Sequence, residues 1–140
     1  LIVNGGLSDV TPVSVDTEGT YQVNETDTIG SLAGAGSIQI ASGKTLSAGG
    51  LNTDTTVSGV ISGGGGFTKV GTGTTTFSGA NTYAGATWVR MGTLRLGAPG
   101  GVPQASATAI EAGGTLNLNN QAPEIDSLTL NGGAGRGTWA

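Results

Sequence analysis

The sequence predicts an all-β chain of the parallel β-solenoid class, with about six coils of roughly 19–29 residues, and three observations carry that expectation. A Gly-Thr-apolar signature recurs along the whole chain. The short runs that follow it alternate apolar and polar side chains at the period of a strand. Glycine supplies 28 of the 140 residues and clusters between those runs, where tight turns need positive φ angles.

The signature stands at Gly19-Thr20-Tyr21, Gly43-Lys44-Thr45-Leu46, Gly73-Thr74-Thr75, Gly92-Thr93-Leu94, Gly114-Thr115-Leu116 and Gly137-Thr138-Trp139, the third being the weakest copy. Its threonines are 25, 29, 19, 22 and 23 residues apart, spacings that suit one turn of a solenoid. Tyr21-Gln22-Val23, Leu94-Arg95-Leu96 and Leu116-Asn117-Leu118 each set two apolar side chains on one face and a polar one on the other. The glycine run 63–66 separates a strand-like segment at 57–61 from another at 67–70. Residues 115–131 alternate Leu with Asn, break at Pro123 and resume, which reads as two strands and a turn. No helix is expected. Coils stacked about 4.8 Å apart would make a rod on the order of 30 Å long.

A longer repeat overlies the first. Val15-Asp16-Thr17-Glu18-Gly19-Thr20-Tyr21-Gln22-Val23-Asn24 aligns with Ile110-Glu111-Ala112-Gly113-Gly114-Thr115-Leu116-Asn117-Leu118-Asn119 at an offset of 95, and Ile29-Gly30-Ser31-Leu32 with Ile125-Asp126-Ser127-Leu128 at 96. The domain reading is one solenoid segment over 1–140, with related modules around 10–32 and 105–128.

Composition narrows the function classes. Only 10% of residues are charged and 4% aromatic, so the core must come from Leu, Ile, Val, Thr and Ala. A mean hydropathy near zero, with aliphatic residues throughout, argues for folding rather than disorder. Nine acids against five bases leave a net charge of −4 and no cationic footprint for nucleic acid. No apolar run is long enough for a spanning helix and no targeting start is present, so the segment is not expected to insert in a membrane. With neither cysteine nor histidine, disulfides and the usual zinc ligands are absent. Absent cysteine suits an exported chain that must stay unfolded in transit.

Gly66-Phe67-Thr68-Lys69-Val70-Gly71-Thr72-Gly73-Thr74, then Phe77-Ser78-Gly79-Ala80-Asn81-Thr82-Tyr83-Ala84-Gly85-Ala86-Thr87, then Val89 and Gly92-Thr93-Leu94-Arg95-Leu96, resemble the autotransporter-associated β-strand repeat, also called the passenger-associated transport repeat. The resemblance covers 66–96. Thr75, Trp88 and Met91 depart from the family's usual residues there. The resemblance implies a right-handed parallel β-helix, exported to the extracellular side or cell surface of a diderm (Gram-negative) bacterium, with the repeat helping the passenger fold. It implies no catalytic residue.

The glycines before Lys69 do not make a phosphate loop, because Val70 follows the lysine where Ser or Thr is needed and no helix follows. The glycine clusters lack the aspartates of a calcium-binding β-roll. Asp16/Glu18, Glu25/Asp27 and Glu124/Asp126 are paired acids that strand alternation would set on one face, as in polysaccharide-cleaving enzymes. Because Asp16 recurs as Glu111 in the second module, a solvated face is the preferred reading. Asn24 and Asn119 correspond across the modules and fit an asparagine ladder better than a ligand contact. Tyr21, Tyr83, Trp88 and Trp139 are read as packing residues, with sugar stacking as the alternative. The Asn24-Glu25-Thr26 sequon and the Arg136-Gly137-Thr138 tripeptide carry no weight.

Leu1-Ile2-Val3-Asn4-Gly5-Gly6 reads as the tail of a coil and Gly137-Thr138-Trp139-Ala140 as the start of one, with no caps. Expected partners are therefore neighbouring coils of a longer solenoid or identical chains stacked end to end, with surface glycans or host proteins as further candidates. The functional expectation is a non-catalytic stalk or fibre segment. The alternatives are an adhesion module for host or matrix glycans and a head-to-tail filament subunit. No catalytic, cofactor-binding or metal-ligating residue is assigned, and no cofactor is expected.

Overall fold

The structure is a computed structural model that describes residues 2–3, 6–132 and 138–139. Its strands are β1 (Ile2–Val3), β2 (Pro12–Val15), β3 (Thr20–Val23), β4 (Asp27–Ile29), β5 (Ser31–Gly34), β6 (Ser37–Ile40), β7 (Thr45–Ala48), β8 (Thr55–Val57) and β9 (Ile61–Ser62). They continue as β10 (Gly66–Lys69), β11 (Thr74–Phe77), β12 (Thr87–Val89), β13 (Gly92–Leu96), β14 (Thr108–Glu111), β15 (Gly114–Asn117), β16 (Leu128–Asn131) and β17 (Thr138–Trp139). The helical content among the described residues is one 3₁₀ turn, Pro99–Gly101. No helix is long and apolar enough to cross a membrane.

From β2 to β11 every third strand returns to the same face, and from β10 onward every second one, so the chain winds into a β-solenoid with three faces. One face holds β1-β3-β6-β9, the second β4-β7-β10-β12-β14-β16, and the third β2-β5-β8-β11-β13-β15-β17. All pairings are parallel. Paired residues are 17 apart where Thr20 meets Ser37 and 23 apart where Ile38 meets Ile61 or Thr115 meets Thr138. About six coils result, as expected.

The two longest signature spacings are not coil lengths. Thr20 stands on the first face, Thr45 on the second, and Thr74, Thr93, Thr115 and Thr138 on the third. The Gly-Thr-apolar signature marks the start of a strand after a corner, whichever corner that is. The offset of 95 has the same origin: Val15 to Thr20 turns from the third face to the first, whereas Ile110 to Thr115 turns from the second to the third. The repeated element is a corner, not a whole coil.

Alternation along each strand sends one set of side chains inward, where successive coils stack them. Val57, Phe77, Leu96, Leu94 and Leu116 line the third face, and Tyr21, Val23, Ile38, Ile40 and Ile61 the first, all at most 1% exposed. Phe67 and Phe77 meet edge to face, with centroids 4.9 Å apart. Burying one such side chain contributes about 1.5–3 kcal/mol, so each coil is held by several comparable contributions. Glycine columns bring the corners together. A Cβ on Gly59 would lie 1.8 Å from the Gly36 carbonyl oxygen, and one on Gly71, whose φ is +69°, would lie 1.9 Å from that of Gly49. Neither corner tolerates a side chain.

Candidate functional site

The polar chemistry concentrates where the first face loses its ladder. After β9 no strand is added there among the described residues, yet the backbone keeps the parallel spacing: Thr82 N donates to Ile61 O at 2.8 Å and Ala84 N to Gly63 O at 2.9 Å. Asn81 supplies what the missing strand would have supplied. Its Oδ1 accepts from Ile61 N at 2.8 Å, its Nδ2 donates to Gly101 O at 2.7 Å, and its own N donates to Gly100 O at 3.0 Å. Three coils are thereby tied by one side chain, itself 6% exposed.

Beside it runs a buried chain of hydroxyls. Tyr83 OH meets Thr87 Oγ1 at 2.7 Å, Thr87 Oγ1 meets Ser106 Oγ at 2.7 Å, and Ser106 Oγ donates to Gly85 O at 2.7 Å. Burial raises the Tyr83 phenol far above its ordinary value, although the Thr87 and Ser106 hydroxyls pull the other way. An open depression of about 490 Å³ lies over this region, between Asn81, Tyr83, Pro99, Val102, Pro103 and Glu124. Its titratable lining is Tyr83, which is fully buried, and Glu124, so no acid-base pair is brought to it.

Lys69 is the least expected residue. Strand alternation points it inward between Ala48 and Val89, and it is fully buried. Its Nζ donates to Val70 O, to Gly71 O at 2.9 Å and to Met91 O at 3.5 Å. Burial lowers the ammonium to about 8, with the Asp54 charge opposing that shift. The sequence places Lys69 in the repeat and rules out a phosphate loop there, without assigning it a role. The missed signal was its inward register, two residues after the core position of Phe67.

The paired acids are taken apart by the fold. Asp16 and Glu18 lie on the corner between β2 and β3, where strand alternation does not operate. Asp27 is buried and accepts from Leu7 N at 3.0 Å, Thr28 N at 2.9 Å and Tyr21 OH at 3.5 Å, while Glu25 pairs with Lys44 at 2.7 Å. Burial, then the Asp27 charge and hydrogen bond, push the Tyr21 phenol up to about 12. Glu124 and Asp126 lie outside the strands, and Asp126 accepts from Gln104 Nε2 at 3.0 Å. None of the pairs faces a common cleft.

Asn119 ties coils together, though not to another asparagine: its Oδ1 accepts from Arg95 Nη2 at 2.7 Å and its Nδ2 donates to Leu96 O at 3.1 Å. Tyr21 and Tyr83 are core residues, as expected. Trp88 is not, since it projects from the outer side of β12 beside Arg90, whose guanidinium carbon is 5.2 Å from the ring centroid. Arg90 Nε is 3.6 Å from Glu111. Thr45, Ser47, Thr68, Trp88 and Arg90 border a shallow polar concavity of about 310 Å³. Trp139 pairs with Leu116 through its backbone. Arg136, Gly137, Ala140, Leu1, Asn4 and Gly5 lie outside the described residues, so the expected terminal coil fragments are described only in part, as β1 and β17. Among the described residues no group of three or more acids is placed to hold a metal ion.

The family model of the passenger-associated transport repeat matches residues 67–96. No curated protein and no solved structure matches the chain.

Proposed function

We propose, on the premise that the chain carries a passenger-associated transport repeat within a β-solenoid, that it is a rigid, non-catalytic spacer segment of an autotransporter passenger. Its place would be the cell surface or the medium of a Gram-negative bacterium. The observation that carries this reading is the unbroken run of parallel ladders on the second and third faces, with the matched repeat in their middle. Length in such a body is set by coil number, at about 4.8 Å per coil. Lys69 and Asn81 of the repeat are engaged with neighbouring backbone, which suits a load-bearing role, and the depression is lined by no reactive pair.

The test is to duplicate one coil. Thr75 pairs with Leu94, 19 residues on, so residues 75–93 form one register-matched insert. A spacer accepts the insert: the largest dimension by small-angle scattering grows by about 4.8 Å, and the chain remains surface-displayed when fused to a translocator barrel. Loss of folding or of display would contradict the reading.

A second reading, adhesion to glycans, is favoured by one observation, the projecting Trp88 with Arg90 and three hydroxyl residues around a polar concavity. An aromatic ring and convergent donors suit a pyranose ring. Glycan-array binding that is saturable and lost in Trp88→Ala would support it. Binding that survives Trp88→Ala would place recognition elsewhere.

A further inference from the structure

At the corner between the second and third faces, three carbonyl oxygens converge on one nitrogen. Those of Val70 and Gly71 belong to the corner itself, and that of Met91 to the corner of the next coil. Among the described residues none of the three accepts a backbone hydrogen bond of the turn and corner set. The preceding coil closes the third side, where a Cβ on Gly49 would lie 3.0 Å from Lys69 Nζ. The positive φ of Gly49 and Gly71 shapes this corner, and the small side chain of Ala48 stacks beneath the lysine. Two further side chains stitch the same corner coil to coil: Asn52 Oδ1 accepts from Thr72 N, and Asp54 Oδ1 from Thr74 N, each at 2.8 Å. Three carbonyls converging on one point suit the three donors of a primary ammonium on a straight stem better than the planar fork of an arginine.

We infer that this corner is a binding site for a primary ammonium group and that Lys69 is its tethered occupant, latching its own coil to the next one within the matched repeat. The inference goes beyond the spacer reading and does not depend on it, because the latch would operate in any solenoid that carried this corner. Its acceptors belong to two consecutive coils, and the preceding coil flanks it at Gly49. The site is therefore complete only when the next coil has docked, which makes the lysine a check on coil completion rather than a surface charge. The amine keeps two N–H donors when it loses its proton, so the latch persists above the point at which the charge is lost.

The test is chemical rescue at neutral pH. Lys69→Ala removes three carbons and the nitrogen, which together are n-propylammonium. The variant is expected to melt on the order of 10 °C below the parent chain, because a fully buried side chain is truncated and three carbonyls lose a donor. n-Propylammonium chloride should restore several degrees in a saturable manner. The parent chain should not respond, and neither sodium chloride nor tetramethylammonium chloride, which has no N–H, should rescue the variant. Equal shifts in parent and variant, or rescue by tetramethylammonium, would overturn the inference. If Lys69→Ala does not fold, Lys69→Met carries the test, since it keeps the stem and removes the donors. It is expected to melt lower and to exchange its amides faster at residues 70–72 and 91–92. A Lys69→Met chain as stable as the parent would refute the latch.

Discussion

Asn81 replaces a strand, and its removal should show how much one side chain can carry in a solenoid. Asn81→Ala leaves the Ile61 N–H and the Gly101 carbonyl without the partners they now have at 2.8 and 2.7 Å. Each orphaned buried group costs about 1–3 kcal/mol, so the loss should be about 2–6 kcal/mol, the lower end applying if water enters from the neighbouring depression. Asn81→Asp separates the two bonds. It keeps the acceptor for Ile61 but turns a second carboxylate oxygen toward the Gly101 carbonyl, which raises the new carboxyl's folded pKa. A raised folded pKa stabilises below the unfolded pKa and is lost as pH rises through the folded one, so the deficit of Asn81→Asp against the parent should shrink on acidification. Equilibrium urea unfolding followed by far-UV circular dichroism, with amide exchange at Ile61, measures both effects. Thr82→Ala, one residue along and exposed, should stay within about 0.5 kcal/mol. An Asn81→Ala chain that also stays within 0.5 kcal/mol, with Ile61 still protected, would refute the reasoning.

Three further outcomes are expected. Stability should rise between about pH 8 and 10.5, because the unfolded lysine holds its proton to about 10.5 and the folded Lys69 only to about 8. It should then fall between about pH 10 and 12, where unfolded Tyr21 ionises and folded Tyr21 does not. Urea midpoints across this range check both limbs, and Lys69→Met should lose the rising one. Gly59→Ala should cost about 3 kcal/mol, because its Cβ would overlap the Gly36 carbonyl, whereas Gly50→Ala, with nothing closer than 3.6 Å, should be nearly silent; denaturant midpoints compare the two. Thr87→Val should cost about 1–3 kcal/mol by breaking the Tyr83-Thr87-Ser106 chain, and Thr87→Ser should recover most of it, again read from unfolding midpoints.

Period and composition made the coil legible because a solenoid repeats its physics: glycine at the corners, then Thr and an apolar residue where the strand begins. They could not say which of three equivalent corners each signature marks, since Thr20, Thr45 and Thr74 obey the same local rule on three different faces. The polar residues were harder still. Asn81 and Lys69 lie in the matched motif, yet the role of Asn81 depends on backbone groups 20 residues away in both directions and that of Lys69 in part on Met91, 22 residues on; for Lys69 only the inward strand register is a local sign. Asp27 escaped for the same reason, because its partners Leu7 and Tyr21 reach it only after the coil closes. The acid pairs were misplaced where a strand was assumed over what is a corner at Asp16 and Glu18.

The account rests on residues one coil apart being stacked neighbours along a single axis. Ser14, Ala33, Thr56, Thr76, Arg95 and Asn117 occupy successive rungs on the outside of the third face. The chain has no cysteine, so paired nitroxide labels can be introduced cleanly at Ser14 with Arg95 and at Ser14 with Asn117. Pulsed electron-electron resonance should give separations of about 19 and 24 Å, one rung of about 4.8 Å apart. Equal separations, or a second pair closer than the first, would contradict the solenoid and the spacer reading built on it.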